Sequence, residues 1–155
     1  MGAADSLAGK TALVTGGSRR LGAAICRELA AQGAAVAVHY RRSGAEAIAM
    51  NRVLKHGVFS LRGDLANPQE REWVFREAAE WLGRVDLLVN NAALFARDGE
   101  LDPAELRAVN VEAPLDLAAR VAAQPGGGCV IHVLDSRIAR PEAGSFQAYA
   151  ATKRE

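Results

Sequence analysis

The sequence predicts an α/β fold of the Rossmann type, with a doubly wound parallel sheet in a three-layer α/β/α arrangement. Short apolar segments alternate five times with longer segments that carry helix signals, and such alternation is typical of a parallel sheet with helices on both faces. A glycine-bearing turn at residues 15–22 separates the first predicted strand from the first helix. The chain has 155 residues, 50% hydrophobic and 24% charged, so we expect one domain over residues 1–155 with a single core.

The first strand and the first helix frame a candidate phosphate site. Residues 11–14 are apolar and include a β-branched valine, which predicts a buried strand. After the turn, apolar residues recur at helical spacing from Leu21 until Gly33 supplies a stop. The first N–H groups of a helix have no partner inside it, and the helix dipole adds partial positive charge there. Strand, glycine turn and helix in this order therefore favour a dinucleotide pyrophosphate site over an ordinary turn.

The end of the second predicted strand indicates which form of the dinucleotide is bound. Residues 35–39 form this strand, and Arg41, Arg42 and Ser43 follow it closely. An acidic residue here would bind a ribose 2′-hydroxyl and favour NAD, whereas guanidinium groups suit a 2′-phosphate. We therefore expect a preference for NADPH. Ser43 can also cap the next helix, because Glu46 completes a capping box, and the two roles are compatible.

Capping signals and periodicity predict the remaining elements. Asn67-Pro68 and Asp102-Pro103 each combine a capping side chain, a proline at the first helical position and a glutamate in the first turn. The predicted bounds are a helix at 45–55, a strand at 58–61, a helix from 68 to the glycine stop at 83, a strand at 85–89, a helix from 103 to about 123, a strand at 129–134 and a helix that begins near 149.

A proline lies inside the predicted helix that starts at residue 103. Pro114 has no N–H, so the carbonyl of Asn110, four residues earlier, loses its helical partner. The pattern predicts a kink, with a freed acceptor on an asparagine.

Tyr149 and Lys153 form the candidate chemical pair. They are four residues apart, so on a helix they share one face. A free tyrosine has a pKa of about 10, and a nearby ammonium lowers that pKa because it favours the phenolate. The pair therefore indicates a tyrosine that exchanges a proton near neutral pH.

The glycine turn and the Tyr-x-x-x-Lys pair resemble those of the short-chain dehydrogenase/reductase family. Residues 15–22 match the family's Thr-Gly-x-x-x-Gly-x-Gly turn, except that Arg20 replaces the middle glycine. That replacement, and the segment His-Tyr-Arg-Arg-Ser at 39–43, are similar to the pteridine reductase branch. The resemblance implies an NADP-dependent oxidoreductase. The cofactor-binding residues that it implies are Gly16, Ser18, Arg20, Leu21, Gly22, Tyr40, Arg41, Arg42, Ser43, Asp64, Leu65, Asn91, Ala92 and Lys153.

The same resemblance implies a substrate class and a third catalytic group. In the pteridine branch the hydride passes to a C=N bond of a dihydropterin or dihydrofolate, and the Asn110 carbonyl would hold a water that relays protons. Asp135 matches that branch's strand end and would help to protonate the substrate. The usual family interval before the tyrosine instead selects Ser136, which would orient a carbonyl in a 3-oxoacyl or other carbonyl reductase. Phe95 is implied to stack on a flat pterin.

The resemblance also bears on the end of the chain. Family members continue past the catalytic lysine with further strands, a substrate loop and dimer helices, whereas this sequence ends two residues after Lys153. We therefore expect a fold that is incomplete at the C-terminus, with an uncovered sheet edge, and a homo-oligomer for a full-length form. A truncated, noncatalytic nucleotide-binding protein is the alternative.

Composition argues against several other functions. A formal net charge of +1 offers no electrostatic case for nucleic acid or an anionic membrane. We find neither a signal peptide nor an apolar run of 18 residues. Cys26 and Cys129 fall inside predicted elements and suit a reducing cytoplasm. His39, His56 and His132 lack ligand spacing, so we expect no metal site. The family resemblance implies a small molecule as the substrate.

Overall fold

A single parallel sheet organises the computed structural model, which describes residues 7–54, 57–136 and 144–155. Its five strands follow the order β3-β2-β1-β4-β5, so the chain winds outward from β1 in both directions. The elements are β1 (Thr11–Val14), α1 (Arg20–Ala31), β2 (Ala35–Tyr40), α2 (Gly44–Leu54), β3 (Val58–Arg62), α3 (Pro68–Leu82), β4 (Leu87–Asn90), α4 (Pro103–Arg107), a π-helical segment (Ala108–Glu112), α5 (Ala113–Ala122), β5 (Cys129–His132) and α6 (Gln147–Thr152). The predicted Rossmann-type fold is confirmed, with its switch point between β1 and β4.

Side chains that alternate along the central strands divide the core into two layers. Leu13 of β1 and Leu88 of β4 pack in the layer that includes α3 and α5. Val14 and Val89, one residue further along the same strands, pack in the layer that includes α1 and α2. Because successive strand residues face opposite sides of a sheet, helices cover both faces. The ligand crevice of such a fold lies at the carboxyl ends of the strands.

The fourth strand begins at Leu87, two residues later than predicted. Asp86 precedes it, and its Oδ2 accepts hydrogen bonds from the backbone N–H of Thr11 at 3.1 Å and from the Thr11 hydroxyl at 3.2 Å. A side-chain carboxylate therefore replaces the carbonyl acceptor that a longer ladder would supply.

The fifth strand lies at one edge of the sheet and ends at His132 rather than at residue 134. Its side chains are largely exposed, and Ile131 retains 47% of its accessible surface. Cys129 is also exposed, although it lies inside the predicted strand. The expected uncovered edge is present in the part of the chain that the structure describes.

The predicted continuous helix from 103 to about 123 is interrupted. Residues 108–112 form a π-helical turn between α4 and α5, in which the N–H of Ala113 donates to the carbonyl of Ala108, five residues earlier. Pro114 follows at once. A proline ring clashes with the carbonyl four residues before it, and a wider turn makes room for that ring. The expected kink is thus a local change of helix type.

Candidate active site

A cavity of about 510 Å³ opens at the carboxyl ends of the central strands. Every residue predicted to bind the cofactor lines it, with the single exception of Lys153. Sequence reasoning missed the other lining residues, which are Arg19, His39, Ala93, Leu94 and Val109. Its volume lies in the range of small-molecule and cofactor sites. We call it the main cavity.

Two glycines of the turn are packed so closely that a side chain has no room at either position. A Cβ added to Gly22 would lie 2.6 Å from the Asn91 side-chain nitrogen, and one added to Gly17 would lie 2.8 Å from the Cys26 sulfur. Arg20, which stands where the related turn has glycine, adopts a φ of +50°. This is the left-handed region, which costs conformational free energy for any residue other than glycine.

The backbone amides of the turn divide into two groups. The N–H of Gly16 donates to the His39 ring at 3.2 Å, and the N–H of Gly17 donates to the His39 carbonyl at 2.9 Å. Both amides are therefore engaged by β2. The first hydrogen bond of α1 runs from Ala23 to Arg19, so the amides of residues 20–22 have no acceptor within the helix. The second group is therefore available to an anion in the main cavity, whereas the amides of Gly16 and Gly17 already have acceptors.

Asn91 connects the end of β4 to the glycine turn. Its Nδ2 donates to the carbonyls of Thr15 at 3.0 Å and Gly16 at 3.1 Å. The Thr15 hydroxyl in turn accepts from the backbone amides of Asn91 and Ala92, both at 3.0 Å. Four hydrogen bonds thus hold two walls of the main cavity at a constant separation.

The two arginines after β2 have different surroundings. The Arg41 guanidinium lies 2.8 Å from a carboxylate oxygen of Asp64 and 3.3 Å from one of Glu105. Arg42 is exposed at the rim of the main cavity, next to the buried Ser43. The structure therefore brings both predicted phosphate-binding arginines to the cavity, but two carboxylates already neutralise Arg41.

The candidate chemical groups lie where α6 and Lys153 contact the residues just after β5. Tyr149 is buried, and its hydroxyl donates to Asp135 Oδ2 at 3.1 Å. Lys153 donates from Nζ to the carbonyl of Val133 at 3.4 Å. Burial lowers the pKa of Lys153, and the negative charge of Asp135 opposes that shift. Ser136, the other candidate for the third group, is exposed.

Asn110 is buried in the π-helical segment and its side chain is fully engaged. Its Oδ1 accepts from the amide of Leu94 at 2.8 Å, and its Nδ2 donates to the Leu94 carbonyl and the Thr152 hydroxyl, both at 3.0 Å. It therefore ties the loop after β4 to α6. Together with Lys153 it lines a second cavity of about 310 Å³, which adjoins the main cavity at Leu65 and Ala92.

Phe95 packs against the helix that carries Tyr149. Its ring stacks on Phe146 with centroids 4.7 Å apart and meets the Tyr149 ring edge-on at 4.9 Å. The side chain nevertheless remains 54% exposed. One face of the ring is thus occupied by protein, and a flat substrate would have to use the other.

Asp98 is a site residue that the sequence did not reveal. Its carboxylate accepts from the amides of Gln147 at 3.1 Å and Ala148 at 2.8 Å, the first residues of α6. A capping residue normally directly precedes its helix, whereas Asp98 lies about fifty residues away in sequence. No local pattern could have signalled it.

The described residues contain no group of three or more His, Cys, Asp or Glu side chains suited to a metal ion. Within the same ranges, no helix combines the length and the apolar character needed to cross a bilayer.

The sheet order, the glycine turn and the cavity at the switch point define a Rossmann-type nucleotide-binding domain. Residues 10–154 match the family model described as short chain dehydrogenase. The chain therefore belongs to the short-chain dehydrogenase/reductase family.

Individual relatives cover almost all of the chain. It is 34% identical over 165 residues to the short chain dehydrogenase penD of Penicillium thymicola, covering 96% of this chain and 60% of that protein. A short chain dehydrogenase from Burkholderia cenocepacia in complex with NADP superimposes with a TM-score of 0.88 at 34% identity. The FolM alternative dihydrofolate reductase 1 from Brucella canis, complexed with NADP, superimposes with a TM-score of 0.86 at 32% identity. Both structures match 97% of this chain, which spans 65% of each of theirs.

Proposed function

We propose that the chain is the nucleotide-binding and catalytic part of an NADPH-dependent oxidoreductase that acts on a small molecule. The observation that carries the proposal is the hydrogen bond of 3.1 Å between the buried Tyr149 hydroxyl and Asp135. Lys153 contacts the same segment after β5, through the carbonyl of Val133. An arrangement of phenol, carboxylate and ammonium beside a nucleotide-sized cavity suits proton transfer coupled to reduction.

The residues that line the main cavity have the chemistry needed to bind a phosphorylated dinucleotide. Amides at the start of α1 would bind the pyrophosphate, and the Arg20 cation lines the same wall. Arg42 and Ser43 would bind the 2′-phosphate, with Asp64 and Leu65 at the adenine. When bound, NADPH supplies the hydride. Solved neighbours at 32% to 34% identity hold NADP or NADPH, which supports this assignment.

Residues of this chain would supply the proton that the substrate takes up on reduction. The Tyr149 hydroxyl would donate it to the substrate, and the Lys153 ammonium would stabilise the resulting phenolate. Asp135 orients the hydroxyl in the resting geometry. The Asn110 side chain holds the loop after β4 against α6, and its main-chain carbonyl would hold the relay water.

For the substrate we propose a dihydropterin or dihydrofolate, reduced at a C=N bond. Asp135, the residue of the pteridine-type pattern, contacts Tyr149, while Ser136 is exposed. The exposed Phe95 ring offers a stacking surface. The structural likeness to the Brucella canis FolM protein, named a dihydrofolate reductase, also supports this class.

The test compares NADPH oxidation with dihydrobiopterin and with a β-keto ester. We expect turnover of the pterin, with Tyr149→Phe reducing kcat by roughly a hundredfold or more, as for loss of a general acid. Asp135→Ala should reduce pterin turnover strongly, whereas Ser136→Ala, its matched neighbour, should not. Pterin reduction that survives Asp135→Ala would refute the pteridine assignment.

Two other functions are kept as alternatives. A carbonyl or 3-oxoacyl reductase would use Ser136, which follows Asp135 at the same strand end, and preferred turnover of the β-keto ester would identify it. A noncatalytic nucleotide-binding protein is the other alternative, because the main cavity lacks Tyr149 and Lys153 in its lining and accounts by itself for nucleotide binding alone. NADPH binding without oxidation by any substrate would identify that function.

We also propose a cytoplasmic location and a homo-oligomeric full-length form. Neither Cys26 nor Cys129 forms a disulfide, which suits a reducing compartment.

A further inference from the structure

His39 is a buried histidine that the proposed chemistry does not use, yet it lines the main cavity. Its side chain is only 2% exposed. Nδ1 accepts from the amide of Gly16 at 3.2 Å, and Nε2 lies 3.0 Å from the carbonyl oxygen of Gly63. A carbonyl can only accept, so Nε2 carries the proton and Nδ1 is the acceptor for Gly16. Both hydrogen bonds require the same tautomer.

The ring is neutral at physiological pH. Burial lowers the pKa of His39 to about 4. A protonated ring would present a second N–H to the amide of Gly16, so that two donors would face each other. The contact with the glycine turn therefore depends on the neutral form.

The backbone of β2 reinforces both contacts of the ring. The carbonyl of His39 accepts from Gly17 at 2.9 Å, and the carbonyl of Tyr40 accepts from Gly63 at 3.0 Å. Gly16 begins the turn that leads to the amides at the start of α1. Gly63 directly precedes Asp64, at the opposite wall of the main cavity. One imidazole thus spans the two loops that bound the cavity on either side of β2.

We propose that His39 is a positioning residue for the dinucleotide: it holds Gly16 against the sheet so that the amides of residues 20–22 face the pyrophosphate, and it holds the Gly63 loop at the adenine end. The inference rests on the proposed function, since it assumes that the main cavity binds NADPH. A histidine suits the position because its rigid ring places an acceptor and a donor at opposite ends. His39 acts through the backbone of both loops and not by contact with the reacting atoms.

Two substitutions separate the two contacts of the ring. In His39→Asn the side-chain oxygen occupies the position of Nδ1, so the acceptor for Gly16 is kept and the bond to Gly63 is lost. In His39→Gln the terminal amide reaches toward Gly63, so that bond is kept and the acceptor for Gly16 is lost. Val36→Ala is the matched control, because Val36 is fully buried on the same strand and does not line the cavity.

Binding by the full chain is measured with NADPH and with adenosine 2′-phosphate, a fragment that lacks the pyrophosphate. We expect His39→Gln to raise the Kd for NADPH about tenfold, as for a buried amide left without its acceptor, with the Kd for the fragment within twofold of wild type. His39→Asn should raise the Kd for adenosine 2′-phosphate severalfold, because the Gly63 loop at the adenine end loses its hydrogen bond, and should raise the Kd for NADPH less than His39→Gln does. Val36→Ala should lower the unfolding midpoint and leave both Kd values unchanged.

Parallel weakening of both ligands by His39→Gln would indicate general damage and would overturn the inference, as would unchanged NADPH binding. A measurement on the wild type does not depend on how the variants fold. The ¹⁵N spectrum of the ring at neutral pH should show the Nε2–H tautomer, and an Nδ1–H tautomer would also overturn the inference. A wild type that binds no NADPH would refute the proposed function itself, and the role of His39 with it.

Discussion

Arg20 concentrates two unfavourable features in one residue. Its φ of +50° costs about 1 kcal/mol for a residue with a side chain, and its cation lies at the start of α1, where the helix dipole is already positive. An anion bound in the main cavity would offset the electrostatic cost. The two arginines after β2 also differ in whether their charge is neutralised. Arg41 already has carboxylate partners at 2.8 and 3.3 Å, whereas Arg42 is exposed at the rim of the main cavity.

The first prediction concerns those two arginines. Arg42→Ala should raise the Kd for NADPH by roughly tenfold or more, since it removes a charge-assisted contact with the 2′-phosphate, and should leave the Kd for NADH nearly unchanged. Arg41→Ala should affect NADPH less, because Asp64 and Glu105 already neutralise that guanidinium. Fluorescence titration of each variant with NADPH and with NADH measures the ratio of its Kd to that of the wild type. A larger loss of NADPH selectivity in Arg41→Ala than in Arg42→Ala would contradict the assignment.

At the level of elements, the short helix α6 is held by contacts from distant parts of the chain. A helix of six residues is not stable by itself. Asp98 caps its first amides, the Phe95 ring packs on Phe146 and Tyr149, and Asn110 bonds to Thr152 near its end. The loop after β4 and the π-helical segment therefore set the position of Tyr149.

The second prediction tests the cap of that helix. Asp98→Ala should lower the free energy of unfolding by about 1 kcal/mol, the usual cost of a lost cap, and should also reduce the rate of substrate reduction severalfold because Tyr149 loses its alignment. Asn67→Ala is the control, since Asn67 caps α3 through Gln69 at 2.9 Å and Glu70 at 3.4 Å, away from Tyr149. It should cost similar stability with unchanged turnover. Equal effects of the two variants on turnover would show that the cap of α6 has no special role.

For the molecule as a whole, His39 links stability to pH. Its pKa of about 4 in the folded chain lies below the ordinary value of 6.5, so between these values the unfolded chain binds a proton that the folded chain does not. Unfolding therefore becomes easier as the pH falls through this window.

The third prediction follows from that linkage. Between pH 6.5 and pH 4 the His39 contribution should lower the free energy of unfolding by up to about 3 kcal/mol. Urea unfolding at several pH values measures the slope. His39→Asn should flatten the curve in this range, because the asparagine does not titrate, and an unchanged slope would show that other groups dominate.

The sequence by itself was sufficient for the fold class, the five parallel strands and most of the residues around the main cavity. These follow from patterns among residues that are close together in the sequence: apolar runs, caps such as Asn67-Pro68, and the glycine turn at residues 15–22. Every predicted cofactor residue except Lys153 lines one cavity, because in a parallel sheet the strand ends meet at one edge. The chemical roles of Tyr149, Lys153, Asp135 and Asn110 stay predictions.

Only the tertiary structure decided which of these residues are already engaged. Contacts between residues far apart in sequence pair Arg41 with Glu105, place Asp98 at the start of α6 and set His39 between Gly16 and Gly63. It also decided that Asp135, and not its neighbour Ser136, faces Tyr149. Spacing along a chain specifies which elements form, but hydrogen bonds and ion pairs depend on distances in space, which exist only after the sheet has brought its loops together.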